Sequence, residues 1–375
     1  MRKKRVLFIM HMPPPVHGAA MVGQWIHDSK IINEEFETFY INPSVSNKVS
    51  DVGRLSLLKF WLFIKLIIRI IRAIIKFKPD LCYYTPTSDG WGIYRDALTI
   101  SIMRLLRKKV ILHFHNKGVK NFSKRQAADI AYRIIFRNVK VILIAEQLYD
   151  DVSKYVDKKD VYFLPNGIPP TINDNQYDGI ITARKANSHK NRLLYLSNMM
   201  SEKGIWILLD ACKLLKENGI IFECHFVGNW GDTNLENFDN EIKEKDLDGI
   251  VYVHGPQYGE NKNSFFKDSD IFVFPTYYHG ETFGLVLLEA MEYGLPCIST
   301  PEGGIPSIID NMKNGILVEQ KSVQQLYNAI CLLIDNKELR NTMGENGRKT
   351  YIEKFKLDKF ESNLFEIIRT LVIYG

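Results

Sequence analysis

A chain of 375 residues, 46% hydrophobic and 25% charged, carries enough apolar material for two packed domains and lacks the signature of a disordered protein. Its five cysteines, Cys82, Cys212, Cys224, Cys297 and Cys331, form no Cys-x-x-Cys pair and stand mostly in apolar runs, which argues against a disulfide framework or zinc site and for a reducing cytoplasm. The net charge of +6 is a modest basic excess. Without a nucleic-acid motif or clustered aromatics it suits an anionic membrane surface better than nucleic acid.

The basic opening is followed by only five apolar residues before His11, too short for a signal peptide, so residues 6–10 are expected to form a first strand. The loop from His11 through Gly18 then leads into a helix through Gln24, Trp25 and Ile26. From 52 to 79 there is no acidic residue, and 55–78 is helix-periodic, with Arg54, Lys65, Arg69, Arg72 and Lys76 on one side and a broad apolar face opposite. Three central charges, at roughly 2.5 to 3.5 kcal/mol each, argue against a membrane span. Two readings stay open for 54–78: a core helix with a solvated basic edge, or a helix that docks on an anionic membrane surface.

Strands are expected at 81–85, 109–115, 139–145 and from 161. Alternation puts His113 and His115 on one face, but no third ligand at a convincing spacing makes them a metal pair. The polar segment 171–190 reads as a linker between a domain 1–170 and a domain 191–355. A strand begins at Arg192, and a helix near Gly204 puts Lys203 within reach of a phosphate. Strands at 223–227 and 250–253 each run into glycine, at Gly228 and at His254-Gly255-Pro256. The tail 351–374 is an amphipathic helix.

The richest stretch is 274–306. A short apolar run expected as a strand, 270–275, closes at Pro275, a polar loop carries Glu281 between Gly280 and Gly284, Leu285, Leu288, Met291 and Leu295 recur at helical spacing, and Gly294-Leu-Pro-Cys-Ile-Ser299 runs from the helix end into a further strand. The helix start at Thr282, Phe283, Gly284 and Leu285 offers unpaired amides and a favourable dipole to a diphosphate. Glu289, more than a turn further in, can accept two hydrogen bonds from a vicinal diol such as ribose, whereas Glu281 lies in the loop ahead of the helix. All of this fits a crevice at the carboxyl ends of parallel strands.

This stretch resembles the Glu-x7-Glu signature of family four of the retaining glycosyltransferases, and Pro165-Asn-Gly-Ile168, Glu202-Lys203-Gly204, Phe226-Val-Gly228 and Gly303-Gly304-Ile-Pro306 are similar to further landmarks of that family. The resemblance is close over the C-terminal half and loose over the N-terminal half. It implies an α/β fold of the GT-B type, two Rossmann-like domains facing a cleft, with residues 356–375 crossing back to the first domain. It also implies transfer of a sugar, with retention, from a nucleotide-sugar donor to a hydroxyl of a glycan or polyprenyl-linked acceptor, without cofactor or metal. The basic and apolar stretch 54–78 adds the expectation of a lipid-linked acceptor on the way to a surface polysaccharide or glycolipid, with the protein in the cytoplasm or at the inner face of the membrane.

Catalytic roles then fall to Glu281 at the sugar, Lys203 at the diphosphate and His115 near the transferred sugar, and Gly18 and His254 join the donor site. The family's second cation is replaced here by Asn198, its usual glycine pair near Gly18 is reduced to glycine followed by alanine, and Ser307 stands where many relatives carry glutamate. A nucleotide-sugar epimerase and a non-catalytic nucleotide-sugar binder of the same fold remain as alternatives.

Overall fold

Each strand expected from an apolar run is a strand in the computed structural model, which describes residues 2–14, 17–43, 57–186 and 191–373, the side chains of 57–60 excepted. The first six strands are β1 (Arg5–Ile9), β2 (Glu37–Ile41), β3 (Leu81–Tyr84), β4 (Lys109–Phe114), β5 (Lys140–Leu143) and β6 (Val161–Phe163). They form one parallel sheet in the order β2-β1-β3-β4-β5-β6. The other six are β7 (Asn191–Leu196), β8 (Phe222–Val227), β9 (Val251–Val253), β10 (Ile271–Phe274), β11 (Cys297–Ser299) and β12 (Gly315–Leu317), parallel in the order β12-β11-β10-β7-β8-β9. Two strands, β2 and β12, escaped the sequence reading. Both are sheet edges; β2 alternates exposed and half-buried residues and so lacks the continuous apolar run of a strand covered on both faces, whereas β12 is buried but only three residues long.

The chain divides into two units, 1–166 with 357–375, and 167–356. In the first unit, pleat alternation separates two cores. Leu7, Ile9, Cys82, Tyr84 and Leu112 face the helices Leu57–Phe77, Gly92–Leu105 and Gln126–Ile135. Val6, Phe8, Tyr83 and Ile111 face the helix Gly18–Asp28 and the terminal helix Leu357–Ile373, which inserts Phe360, Leu364 and Ile368. From Leu357 on, the tail is therefore part of the first unit, and it is interrupted: one π-helical turn at Tyr351–Phe355, still in the second unit, precedes the helix proper.

The expected linker 171–190 is corrected. It carries a helix, Asp174–Ala186, that belongs to the second unit, and the boundary falls at 166/167 instead of 170/171. No residue of this helix is fully buried, so there was no apolar stripe to read. Polar anchors hold it instead. Arg184 donates to the carbonyls of Tyr293, Gly294, Phe266 and Lys267, and Arg348 pairs with Asp174 at 3.0 Å. Just ahead of it, the buried carboxylate of Glu292 accepts from Thr171 N–H at 2.5 Å and Ile172 N–H at 3.0 Å.

In the basic helix, Leu66, Ile70, Ala73 and Ile74 are buried against β1 and its neighbours, so the broad apolar face is a core face. Arg54, read as part of the basic row, lies outside the described residues, as does Tyr374. Among the described residues no helix is long and apolar enough to cross a membrane.

Candidate functional site

In the second sheet β7 has β8 on one side and β10 on the other, so successive connections leave in opposite directions and open a crevice at the carboxyl ends of β7 and β10. The loops after these two strands interlock. Gly204 adopts φ 87°, and a Cβ there would stand 2.3 Å from the Pro275 carbonyl oxygen, so only glycine permits the approach. Tyr277 N–H donates to the Glu202 carbonyl at 2.8 Å. Between these contacts, Lys203 Nζ donates to Glu281 Oε2 at 2.5 Å, with each side chain 12% exposed. Its ammonium also lies 4.5 Å from the Tyr278 ring centroid and 5.5 Å from that of Phe274.

The Glu281 loop is backed by the Gly303-Gly304 turn. Gly304 N–H donates to the Thr282 carbonyl at 2.8 Å, and a Cβ on Gly303 would meet the Glu281 carbonyl oxygen at 2.3 Å. Two helices start beside this cluster. Ile205–Glu217 begins after Gly204 and Leu285–Glu292 after Gly284, both glycines in the left-handed region and neither offering a side-chain cap. Each first turn therefore presents amides and a positive dipole end without the carboxylate or hydroxyl that usually satisfies them. Thr282 and Leu285 are partly exposed at this end. Phe283 is not: only 2% exposed and edge-on to Phe355 at 6.0 Å, its side chain is core, so at this helix start it presents backbone and not side chain.

Glu289 is partly exposed, and its Oε1 accepts from Lys262 Nζ at 3.0 Å, an ion pair absent from the sequence reading. Lys262 lies in the helix Gly259–Asp268, and nothing in its local spacing points to a glutamate 27 residues away. His254 follows β9, with its Nε2 2.9 Å from His225 Nδ1 and its ring 4.6 Å from that of Phe265. Burial lowers its pKa, so the ring is neutral at pH 7. Asn198 is exposed after β7, and its carbonyl accepts from the Tyr195 hydroxyl and from Met200 N–H, which fixes the turn.

The first unit gathers histidines at the carboxyl ends of its own strands. His115 follows β4, its ring centroid 4.0 Å from that of His113 on the shared face. His113 is fully buried and hydrogen-bonded to the Tyr83 hydroxyl. His11 follows β1, and His17 caps the helix Gly18–Asp28, its Nδ1 accepting from Ala20 N–H at 3.3 Å. Gly18 is the exposed first residue of that helix. The close approach belongs to Gly23, where a Cβ would stand 1.9 Å from the His11 carbonyl oxygen. Burial, helped by Arg95, pushes His11 down to about 4, and burial with the fields of His11 and His17 pushes His115 to about 3, so both rings are neutral at physiological pH while keeping a partly exposed edge. Arg95 itself pairs with fully buried Asp96 at 2.8 Å, and Asp96 accepts further from the Tyr84 hydroxyl and Thr87. Among the described residues no three His, Cys, Asp or Glu side chains are grouped to hold a metal ion.

Residues 178–350 match the family model described as glycosyl transferases group 1. This segment belongs to that family. Relatives of this chain include a capsular polysaccharide biosynthesis glycosyltransferase of Staphylococcus aureus, 30% identical over 166 residues, 43% of this chain and 41% of the relative. Another is the UDP-Gal:alpha-D-GlcNAc-diphosphoundecaprenol alpha-1,3-galactosyltransferase of Escherichia coli, 26% identical over 224 residues, 58% of this chain and 56% of the relative. The chain thus spans about half the length of these curated relatives. Over the whole chain, the crystal structure of Anabaena HepE in complex with UDP covers 98% of this chain and 100% of its own, with TM-score 0.73 and 16% identity. The fold of this chain is GT-B, two parallel six-stranded sheets each flanked by helices.

Proposed function

We propose that this protein is a retaining glycosyltransferase that moves a sugar from a nucleoside diphosphate sugar to a hydroxyl of a glycan or polyprenyl-linked acceptor, in surface polysaccharide or glycolipid synthesis at the cytoplasmic membrane face. The observation that carries the reading is the Lys203–Glu281 pair beside two uncapped helix starts. Without donor, the Glu281 carboxylate occupies the anion place that a diphosphate would claim. On donor binding Lys203 exchanges carboxylate for phosphate, and Glu281 is released toward the sugar hydroxyls and the cationic transition state. The anomeric carbon–phosphate oxygen bond breaks, and the acceptor oxygen bonds to the same carbon from the same face. The acceptor proton leaves to the departing diphosphate, whose charge Lys203 and the helix amides stabilise.

Glu289 takes the ribose diol, with the base in the loops after β8 and β9 near His254. His115, neutral, suits a hydrogen bond to a sugar hydroxyl. The UDP bound by HepE and the diphosphoundecaprenol acceptor of the Escherichia coli relative support the donor and acceptor classes.

The test offers uridine, guanosine and adenosine diphosphate sugars with a polyprenyl diphosphate-linked sugar, with and without chelator, and follows product by mass spectrometry and anomeric configuration by NMR. Retained configuration in chelator is expected. Turnover of donor without acceptor would mean an epimerase, and tight donor binding with no turnover a non-catalytic binder.

A further inference from the structure

The helix Leu57–Phe77 presents a second face that its sequence period alone leaves unassigned. With Leu66, Ile70, Ala73 and Ile74 in the core, the exposed arc, roughly 120° wide at 100° per residue, is mixed in character. One margin is apolar: Trp61, Ile68 and Ile75 recur every seven residues and are 61, 41 and 59% exposed. The other margin is basic: Lys65, Arg69, Arg72 and Lys76 are all exposed, and among the described residues none of the four makes an ion pair.

Beside the basic margin, edge strand β2 contributes Phe39, 40% exposed and 5.8 Å from the Phe77 ring. Together the helix and this strand form a groove of about 420 Å³ with an apolar floor, Phe39, Ala73 and Phe77, and the four cations around it. Among the described residues no acid lines the groove. The acids on the flanking strand and after the helix, Glu37 and Asp80, are taken by Arg5 and Arg2.

We infer that this face is a docking surface for an anionic membrane, with Trp61, Ile68 and Ile75 lying at the headgroup boundary and lipid phosphates paired with the four cations over the groove. Charge complementarity selects the occupant. Four unpaired cations without an acid favour an anionic surface, whereas a second copy of this chain would place like charge on like. An apolar row alongside a basic row along a helix axis matches the layered polarity of a bilayer interface, where long basic side chains reach phosphate while their stems cover apolar surface. The inference rests on the lipid-linked acceptor reading for its purpose, and its test is independent of turnover.

The full-length protein is floated with vesicles of phosphatidylglycerol and phosphatidylcholine, and of phosphatidylcholine alone, at low and high salt. Binding to the anionic vesicles at low salt is expected, with a partition loss of about fivefold for each of K65Q, R69Q, R72Q and K76Q, and a steep fall with salt. W61S and I75S should remove the binding that persists at high salt. Failure to float at low salt, equal flotation of the quadruple glutamine variant, or equal binding to phosphatidylcholine alone would overturn the inference. So would a self-association, seen by analytical ultracentrifugation, that W61S dissolves in a protein that ignores vesicles. Donor affinity by calorimetry and transfer to a soluble acceptor are measured on the same variants. If these persist while flotation fails in the wild type, the docking surface falls and the transferase reading stands; flotation without transfer has the opposite meaning.

Discussion

Removing one member of the Lys203–Glu281 pair should have an effect that depends on which member is removed and on whether nucleotide is present. Each side chain is 12% exposed, so Glu281→Gln leaves a nearly buried ammonium with a neutral amide oxygen and the Tyr278 and Phe274 rings in place of a carboxylate, and Lys203→Met leaves a nearly buried carboxylate. Breaking a buried pair costs roughly 3 to 5 kcal/mol, and the residual water contact places this one near the low end, about 3 kcal/mol. For a unit of this size each kcal/mol lowers the melting temperature by about 2 to 4 °C, so either variant should melt roughly 6 to 12 °C lower.

A diphosphate then distinguishes them. It gives Lys203 a new partner in Glu281→Gln but approaches an uncompensated carboxylate in Lys203→Met. The assay is thermal unfolding with and without the best binder among UDP, GDP and ADP. Glu281→Gln should recover more than the wild type gains, because no pair need be broken first, and Lys203→Met should recover least. The double variant should cost less than the two single losses added together. If Glu281→Gln gains no more from nucleotide than Lys203→Met, Lys203 does not meet the diphosphate and the exchange mechanism is wrong.

Glu289→Ala should weaken nucleoside diphosphate binding by about 1.5 to 3 kcal/mol, the range for charge-assisted hydrogen bonds. Lys262→Met, which removes only a partly exposed support, should cost at most about 1 kcal/mol; calorimetry giving the reverse order would move the ribose away from Glu289. Because burial holds His11 and His115 at about 4 and 3, below the ordinary value near 6.5, the unfolded chain binds more protons once pH falls below about 6.5. Stability contributed by keeping these rings neutral is therefore fully present above that pH and is lost as pH falls toward their folded values, each histidine adding at most about 1.4 kcal/mol per pH unit to the slope. Urea unfolding of His11→Gln between pH 7 and 5 should show a shallower slope than the wild type, and an unchanged slope would refute the burial account.

Ten of twelve strands were legible because a parallel strand covered on both faces must be apolar throughout, a property each segment carries by itself. Of the two missed, the edge strand β2 lacks that constraint, with alternate residues exposed, and β12 is a buried edge strand of only three residues. The glycine-bearing loop, the helix start after it and the two glutamates beside it were legible for a related reason. A strand end, a glycine-bearing loop, a helix start and a carboxylate one turn later fall within a single short stretch, so local chemistry fixes their relative placement.

What lay beyond the sequence depends on which strands are neighbours. Lys203 reaches Glu281 across 78 positions because β7 adjoins β10, and Lys262 reaches Glu289 across 27, from one helix to another. Phe283 sits between two site residues yet turns into the core. The helix Asp174–Ala186 is held by Arg184 and Arg348, whose carbonyl and carboxylate partners leave no periodic trace. The helix Leu57–Phe77 shows the division within one element. Its sequence determined an amphipathic basic helix too charged to cross a bilayer, because charge and period are local. Which apolar residues enter the core and which stand beside the cations was decided only by packing on the first sheet, since burial is a property of the pair of surfaces that meet.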